Sequence, residues 1–294
     1  MTSQDLTQQQ QGFLRRCEEC YNLILAFQND DLPTGLVPKR HKGYKYDSKL
    51  RQRVKEKIAR SMNRMENAIS IHGLEEIAIS YNGGKDCLVM LILLLATIYK
   101  KWKSECTSKN VLIPHDYKLD SVYVNAETPF PELTAFIEQS TQYYHLNPVT
   151  LKDSMQHGFQ HYLDEVNPKI KSVVVGIRYT DPHGQQLTEE QCTDHDWPKF
   201  LRIHPILDWH YVEIWDFLVG TNVEYCSLYD LGYTSLGGMN NTVPNPKLQI
   251  PAADGAAGGV AGGASHLPAY MLRDDADALE RLGRTKKLDS FERK

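Results

Sequence analysis

Apolar residues recur every three to four positions over residues 13–27. They do so again over 47–72, where Leu50, Val54, Ile58, Met62, Met65 and Ile69 are separated by Lys and Arg. That spacing predicts two amphipathic helices, the second ended by His72-Gly73. The pattern then changes. A short apolar run at 76–80 predicts a strand, and 87–102 predicts a helix too apolar for a surface position. Further strands are predicted at 121–125, 148–151 and 172–177, and further helices at 132–144, 155–166 and 211–219. Alternation of this kind predicts an α/β fold: an open, mostly parallel sheet with helices on both faces.

Two stretches break the alternation. Residues 178–209 are dense in Asp, His, Trp, Pro and Arg with little periodicity, which predicts a long ordered loop with a functional role. Residues 252–265 contain almost nothing but Ala and Gly and predict a flexible low-complexity surface loop. The expected organisation is therefore an N-terminal helical extension over 1–72, a nucleotide-binding α/β catalytic domain over 73–251, the 252–265 loop, and a C-terminal segment over 266–294 that returns to the site.

Composition narrows the class. The 294 residues include 41% hydrophobic and 24% charged side chains, an ordinary globular balance with ample length for a core. A net charge of -4 argues against a general polyanion-binding surface, so no nucleic-acid partner is expected. The longest apolar run, 87–98, falls well short of the ~20 residues that span a bilayer, so no membrane association is expected. The polar, Gln-rich start carries neither a signal core nor a transit pattern, and a cytoplasmic protein with no obligate protein partner is the expectation. Cys17 and Cys20 sit on one helical face and read as packing side chains, because no second Cys-x-x-Cys or His-x-His follows at zinc spacing.

One segment carries chemistry. Ser80-Tyr81-Asn82-Gly83-Gly84-Lys85-Asp86 follows a strand and opens a helix, which brings several backbone N–H groups and the positive end of a helix dipole to one point. Glycines allow close backbone approach and Lys85 adds a charge, so the segment reads as a phosphate site. It is not a Walker P-loop, since Ile79 stands where Gly is required and Asp follows Lys85. Nor is it a Gly-x-Gly-x-x-Gly fingerprint.

The loop resembles the pyrophosphate-binding loop of the ATP pyrophosphatase and phosphoadenylylsulfate-reductase-like families. Beyond it, Val175 to Pro182, Thr193 to Pro205, Asp208-Trp209-His210, Ile214-Trp215, Leu231 to Pro246 and Leu279-Glu280-Arg281-Leu282-Gly283-Arg284 are similar to the eukaryotic FAD synthetases of the fungal, single-activity type. The resemblance covers roughly 75–248 and 268–286. It implies transfer of the AMP moiety of ATP to FMN, giving FAD and pyrophosphate. An FMN phosphate oxygen attacks the α-phosphorus, Mg²⁺ assists, and no covalent enzyme intermediate forms. The implied partners are small-molecule nucleotides and flavins.

The resemblance also implies roles. Lys85, Asp86 and Asp181 are the catalytic candidates, with Asp86 and Asp181 as the Mg²⁺ carboxylates, since Mg²⁺ takes oxygen ligands. The plain alternatives are a helix-start charge for Asp86 and a turn-forming Asp before Pro for Asp181. Ser80, Asn82, Gly83, Gly84, Lys85, Val124, Gly176, Ile177 and Arg178 are the ATP candidates. Thr193, Asp194, Trp197, Arg202, Arg281 and Arg284 are the flavin candidates. Cys87 reads as a small packing residue at the helix start, and the role of Asn125 is open. A sulfonucleotide reductase on the same fold would need a catalytic Cys near the C-terminus, and no Cys follows Cys226. Relatives that modify tRNA carry cysteine sets and basic surfaces that are missing here. A non-enzymatic nucleotide sensor is the rival from another class.

Overall fold

The computed structural model describes residues 7–105, 113–114, 117–251 and 265–285. The 252–265 loop therefore lies, apart from Ser265, outside the described residues. In chain order the elements are α1 (Gln8–Gln28), α2 (Ser48–His72), β1 (Ile77–Ser80), α3 (Lys85–Glu105), β2 (Asp120–Val124), α4 (Pro131–Tyr143) and β3 (Asn147–Leu151). Then follow α5 (Met155–His161), β4 (Ser172–Val175), β5 (Glu190–Cys192), β6 (Leu201–Ile203), α6 (Tyr211–Thr221) and the one-turn α7 (Ala276–Leu279).

The six strands form one sheet in the order β3-β2-β1-β4-β6-β5. Every pairing is parallel except the antiparallel edge pair β5–β6. From β1 the chain winds outward through β2 and β3, then returns to β1's other side at β4. This places a topological switch point between β1 and β4, where open α/β sheets bind ligands at the carboxyl ends of their strands.

Local chemistry sets the elements. The Thr7 hydroxyl accepts from Gln10 N and the Gln10 side chain answers on Thr7 N, a capping box that starts α1. The Asp47 carboxylate caps α2 through Lys49 N and Leu50 N. Gly73 stops α2 at φ +74°, a backbone state that side-chain-bearing residues rarely adopt. α3 is apolar all round because it is covered all round: α1, α2 and α6 pack on it, and Leu88 to Ala96 share one core with Ile77 and Ile79 of the sheet. The opposite sheet face carries Ala78, Val122, Val124 and Val173 against Phe159 and Tyr162 of the α5 region.

Two expectations are corrected. Residues 178–209 are not wholly irregular: they hold β5 and β6, and β6 extends the sheet beside β4. Strands of three residues are too short to show a period-two pattern. The helix expected over 155–166 is α-helical only to His161 and finishes as a π-helical turn, Tyr162–Val166.

Candidate active site

A cavity of about 390 Å³ opens at the carboxyl ends of β1, β2 and β4, over the start of α3. Its lining includes Ser80, Asn82, Gly84, Lys85, Asp86, Cys87, Val124, Gly176, Ile177, Asp181, Arg281 and Arg284, all singled out by the sequence. Gly83 stands in the same loop at φ +71°, and a Cβ there would lie 2.7 Å from Ile137. A side chain is excluded on both counts.

The loop itself is closed by internal bonds. Gly84 N donates to Asn82 Oδ1 and Lys85 N donates to the Tyr229 hydroxyl, each at 2.9 Å. These two amides already have partners inside the protein, which the local sequence did not indicate. Lys85 differs from expectation too. Its side chain is 2% exposed, with the ammonium 2.9 Å from Asp86 Oδ2 and in contact with Glu280 Oε1. It also lies over the Tyr211 ring, 5.2 Å from the centroid. Arg178 is fully buried beneath the cavity and faces four carboxylates: Asp86 at 2.9 Å, Asp181 and Asp277 at 3.5 Å, and Glu280. Four carboxylates against Lys85 and Arg178 give this cluster a formal excess of negative charge, with Asp277 also meeting His210.

The two candidate metal carboxylates are tuned in opposite directions. Burial pushes the Asp86 carboxyl up, but Arg178 and Lys85 outweigh burial and hold it below the ordinary carboxylate range. Asp181 is pushed up, first by burial; Arg178 opposes this, and the Asp86 charge adds to it. Its Oδ2 accepts from Arg178 N at 2.9 Å, which fixes the turn after β4. Two carboxylates in a cluster with this formal excess suit a hard cation held partly by protein and partly by a bound phosphate. Among the described residues there is no group of three or more His, Cys, Asp or Glu side chains able to hold a metal alone.

Arg281 and Arg284 enter the cavity from the C-terminal segment. Arg284 Nη1 donates to Leu236 O at 2.8 Å, and its guanidinium occupies the space a Cβ on Gly237 would need, 2.2 Å from Cζ. Arg281 has no ion pair among the described residues. Burial and the Arg281 charge together lower the Arg284 guanidinium's basicity. Glu127 holds the facing loop: its oxygens accept from Gly238 N and Asn241 Nδ2, each at 2.7 Å. Asn125 gains a role here, since its side chain brackets Glu127 N and O at 2.9 Å each.

The remaining candidates sit apart. Thr193, Asp194, Trp197 and Arg202 belong to the β5–β6 hairpin and do not line the cavity. The Thr193 hydroxyl donates to Pro198 O and accepts from Phe200 N, so it shapes the hairpin. Trp197 is exposed. The hairpin reaches the cavity rim through α5, where Gln156 Nε2 donates to Asp196 O beside the lining residue Met155. A Cβ on Gly176 would lie 3.1 Å from Cys87 Sγ, so this glycine seats the start of α3 against β4. Burial, and next the Asp86 charge, push the Cys87 thiol up to about 12, which keeps it protonated and makes it a packing group.

Glu280, Asp277, Glu127 and Tyr229 went unassigned in the sequence. Asp277 accepts from Tyr211 N and meets His210 Nδ1 at 2.7 Å. The Asp277 contact raises the His210 imidazole, with burial opposing it. A raised His stabilises the fold below its unfolded value near 6.5 and stops doing so as pH rises through its folded value. His210 is half exposed, so solvent screens the pair. His210→Ala should therefore cost up to ~0.5 kcal/mol at pH 6 and nothing from loss of this pair at pH 9. Denaturant titration of both proteins at the two pH values checks this.

The comparisons agree with one another. The family model for the phosphoadenosine phosphosulfate reductase domain matches residues 76–244. A probable FAD synthase of Schizosaccharomyces pombe is 41% identical over 228 residues, covering 78% of this chain and 78% of that protein. A probable FAD synthase of Caenorhabditis briggsae is 39% identical over 214 residues, 72% of this chain but only 37% of that longer protein. The crystal structure of Candida glabrata FMN adenylyltransferase in complex with FAD and inorganic pyrophosphate superposes with a TM-score of 0.77. The two are 28% identical, and the match covers 94% of this chain and 98% of that one.

Proposed function

The chain belongs to the FAD synthase family, within the phosphoadenosine phosphosulfate reductase domain, and from that premise we infer that it transfers the AMP moiety of ATP to FMN, giving FAD and pyrophosphate. The observation that carries the reading is the cavity at the β1–β4 switch point, floored by the 80–86 loop, Asp86 and Asp181 and rimmed by Arg281 and Arg284. The similar C. glabrata enzyme was crystallised with both products of this reaction.

Two highly anionic reactants must meet, so catalysis consists mainly of positioning and charge neutralisation. An FMN phosphate oxygen forms a bond to the ATP α-phosphorus while the bond to the bridging oxygen breaks and pyrophosphate leaves with that electron pair. Asp86 and Asp181 would hold Mg²⁺, whose bound charge offsets that of the triphosphate. Val124 offers backbone N–H and C=O groups to the purine edge at the end of β2. Ser80, Asn82, Gly83 and Gly84 shape the seat for the phosphates, and Gly176 and Ile177 close the nucleotide's other side. Lys85 and Arg178 act from beneath, as the buried cations that orient the two Asp carboxylates. Arg281 and Arg284 neutralise ligand phosphates through planar, bidentate groups. Thr193, Asp194, Trp197 and Arg202 take the flavin end, with the exposed Trp197 ring available for stacking on isoalloxazine. No covalent nucleophile is used, since the thiol at the site, Cys87, is held protonated.

In this reading the protein works in the cytoplasm on small-molecule nucleotides and flavins, without nucleic acid, membrane or an obligate protein partner. Among the described residues no helix is long and apolar enough to cross a membrane. The test measures pyrophosphate release from ATP and Mg²⁺ with and without FMN, together with FAD by chromatography. FMN-dependent release with equimolar FAD is expected. Release indifferent to FMN, or no FAD at saturating substrates, would overturn the reading.

A further inference from the structure

Glu280 is 4% exposed, and each of its oxygens takes a different cation. Oε1 receives the Lys85 ammonium and Oε2 the Arg178 guanidinium. The main chain around it is pinned. The buried Thr234 hydroxyl donates to Glu280 O, and Asn245 Nδ2 donates to Thr234 Oγ1 at 2.8 Å and to Leu279 O at 2.9 Å. Glu280 N closes the turn on Ala276 O. The carboxylate is therefore held at one point, between the two cations of the cavity floor.

Those cations have other suitors. Lys85 reaches Asp86, and Arg178 reaches both Asp86 and Asp181. Without Glu280, one buried ammonium and one buried guanidinium would be balanced by Asp86, Asp181 and Asp277 alone. Buried cations need counterions, so the contacts that Asp86 already makes with both cations, and Asp181 with Arg178, would have to carry the whole balance and would hold the two carboxylates more tightly. We propose that Glu280 is a positioning residue: as counterion to Lys85 and Arg178 it leaves Asp86 and Asp181 facing the cavity for a divalent cation, and it makes nucleotide binding conditional on that cation. The inference rests on the ATP reading above. Its physical basis is the sign of Coulomb's law: removing one buried negative charge strengthens the binding of an anion and weakens that of a cation.

The experiment measures ATP binding by calorimetry, in EDTA and in excess Mg²⁺, for wild type, Glu280→Gln and Glu280→Asp. The readout is the ratio of the two dissociation constants, and FAD synthesis is not involved. Wild type should bind ATP far more tightly with Mg²⁺. In Glu280→Gln, which keeps the volume and loses the charge, the ratio should fall at least tenfold, through tighter binding of metal-free ATP. Glu280→Asp keeps the charge but is one methylene too short to serve both cations, and should lower the ratio severalfold. A purely structural Glu280 would shift melting in the variants and leave the ratio of the folded protein unchanged, which overturns the inference. If Glu280→Gln does not fold, Glu280→Asp decides, and a wild-type ratio there overturns it. A wild type that binds ATP under neither condition would sink the nucleotide reading itself. A metal-dependent wild type with an unchanged ratio in the variants overturns this inference alone.

Discussion

Asp181→Asn should lower turnover by about 10²–10³-fold, in the range seen when one preorganised electrostatic group is removed from an active site. It should not lower the melting temperature. The Asn carbonyl still accepts from Arg178 N, the bond that shapes the turn after β4. Arg178 keeps three carboxylates: Asp86, Asp277 and Glu280. The stability sign follows from the direction of the Asp181 shift. Its folded carboxyl is raised, chiefly by burial and with the Asp86 charge adding, so the ionised form is disfavoured in the native state. The stability linked to this group is fully present below the ordinary Asp value of about 3.9 and is lost as pH rises through the folded value. At neutral pH the Asp181 charge therefore costs stability, and an uncharged isostere removes the cost. Activity and stability should thus move apart, as at other sites where function opposes stability. Steady-state rates and a thermal melt at pH 7.5 check both halves. A near-parent rate would show that Asp181 only forms a turn before Pro182.

In the metal-free protein Asp181 is raised and Asp86 lowered, so protonation of Asp181 comes first as pH falls.

The parts of this site readable in the sequence are those encoded within a few residues. The short apolar run at 76–80, the glycines after it and the apolar helix beyond specify a strand, a turn and a helix start. That unit brings Asn82 to Asp86 to the start of α3, and Tyr229 and Glu280, far along the chain, then hold Lys85 in place. Asp181 was readable for the same reason, being a polar turn directly after a continuous apolar strand. The charge balance was not. Lys85 looks like a free phosphate ligand in a Gly-rich turn, yet its ammonium is closed by Glu280, 195 positions away. Nothing in Leu279-Glu280-Arg281 distinguishes an inward Glu from a solvated one. The three-residue strands β5 and β6 failed for another reason: Leu201, Arg202 and Ile203 hold too few positions to establish a period. The hairpin they form carries Thr193, Asp194, Trp197 and Arg202 to the rim region and not to the cavity wall.

The segment 231–246 illustrates a third kind of information. Its Gly-Gly-Met-Asn-Asn run enters the sequence reading only as part of the family resemblance. In the fold much of it is a seat for the C-terminal segment. Gly237 makes room for the Arg284 guanidinium, Gly238 for Glu127, and Asn245 ties Thr234 to Leu279. The bridge between Thr242 and Arg284 continues the same contact. Such glycines are required by the approach of another part of the chain, which no local pattern records.

That seat makes Arg281→Ala the other large effect. Arg284 is anchored by Leu236 O and lies 3.9 Å from Glu127, so its removal would disturb the protein as well as the ligand. Arg281 faces the cavity, is exposed, and has no ion pair among the described residues. On an ordinary charged surface such a side chain is dispensable, within about ±0.5 kcal/mol. Here two guanidiniums stand together, close enough that Arg281 helps lower the basicity of Arg284. Like charges held side by side at the mouth of a cavity favour an anionic occupant. A charge-assisted contact to a ligand phosphate contributes roughly 1.5–3 kcal/mol, so Arg281→Ala should weaken FMN or ATP binding, or slow turnover, by about tenfold or more. Melting should be unchanged, because among the described residues the Arg281 side chain has no ion-pair partner to lose. Arg281→Lys should recover only part of the loss, since an ammonium keeps the charge but not the planar fork. Titration of FMN and of ATP with Mg²⁺ into each variant will show which reactant Arg281 holds. Parent-like affinity for both, with parent-like turnover, would leave Arg281 as a surface charge and remove the C-terminal segment from the chemistry.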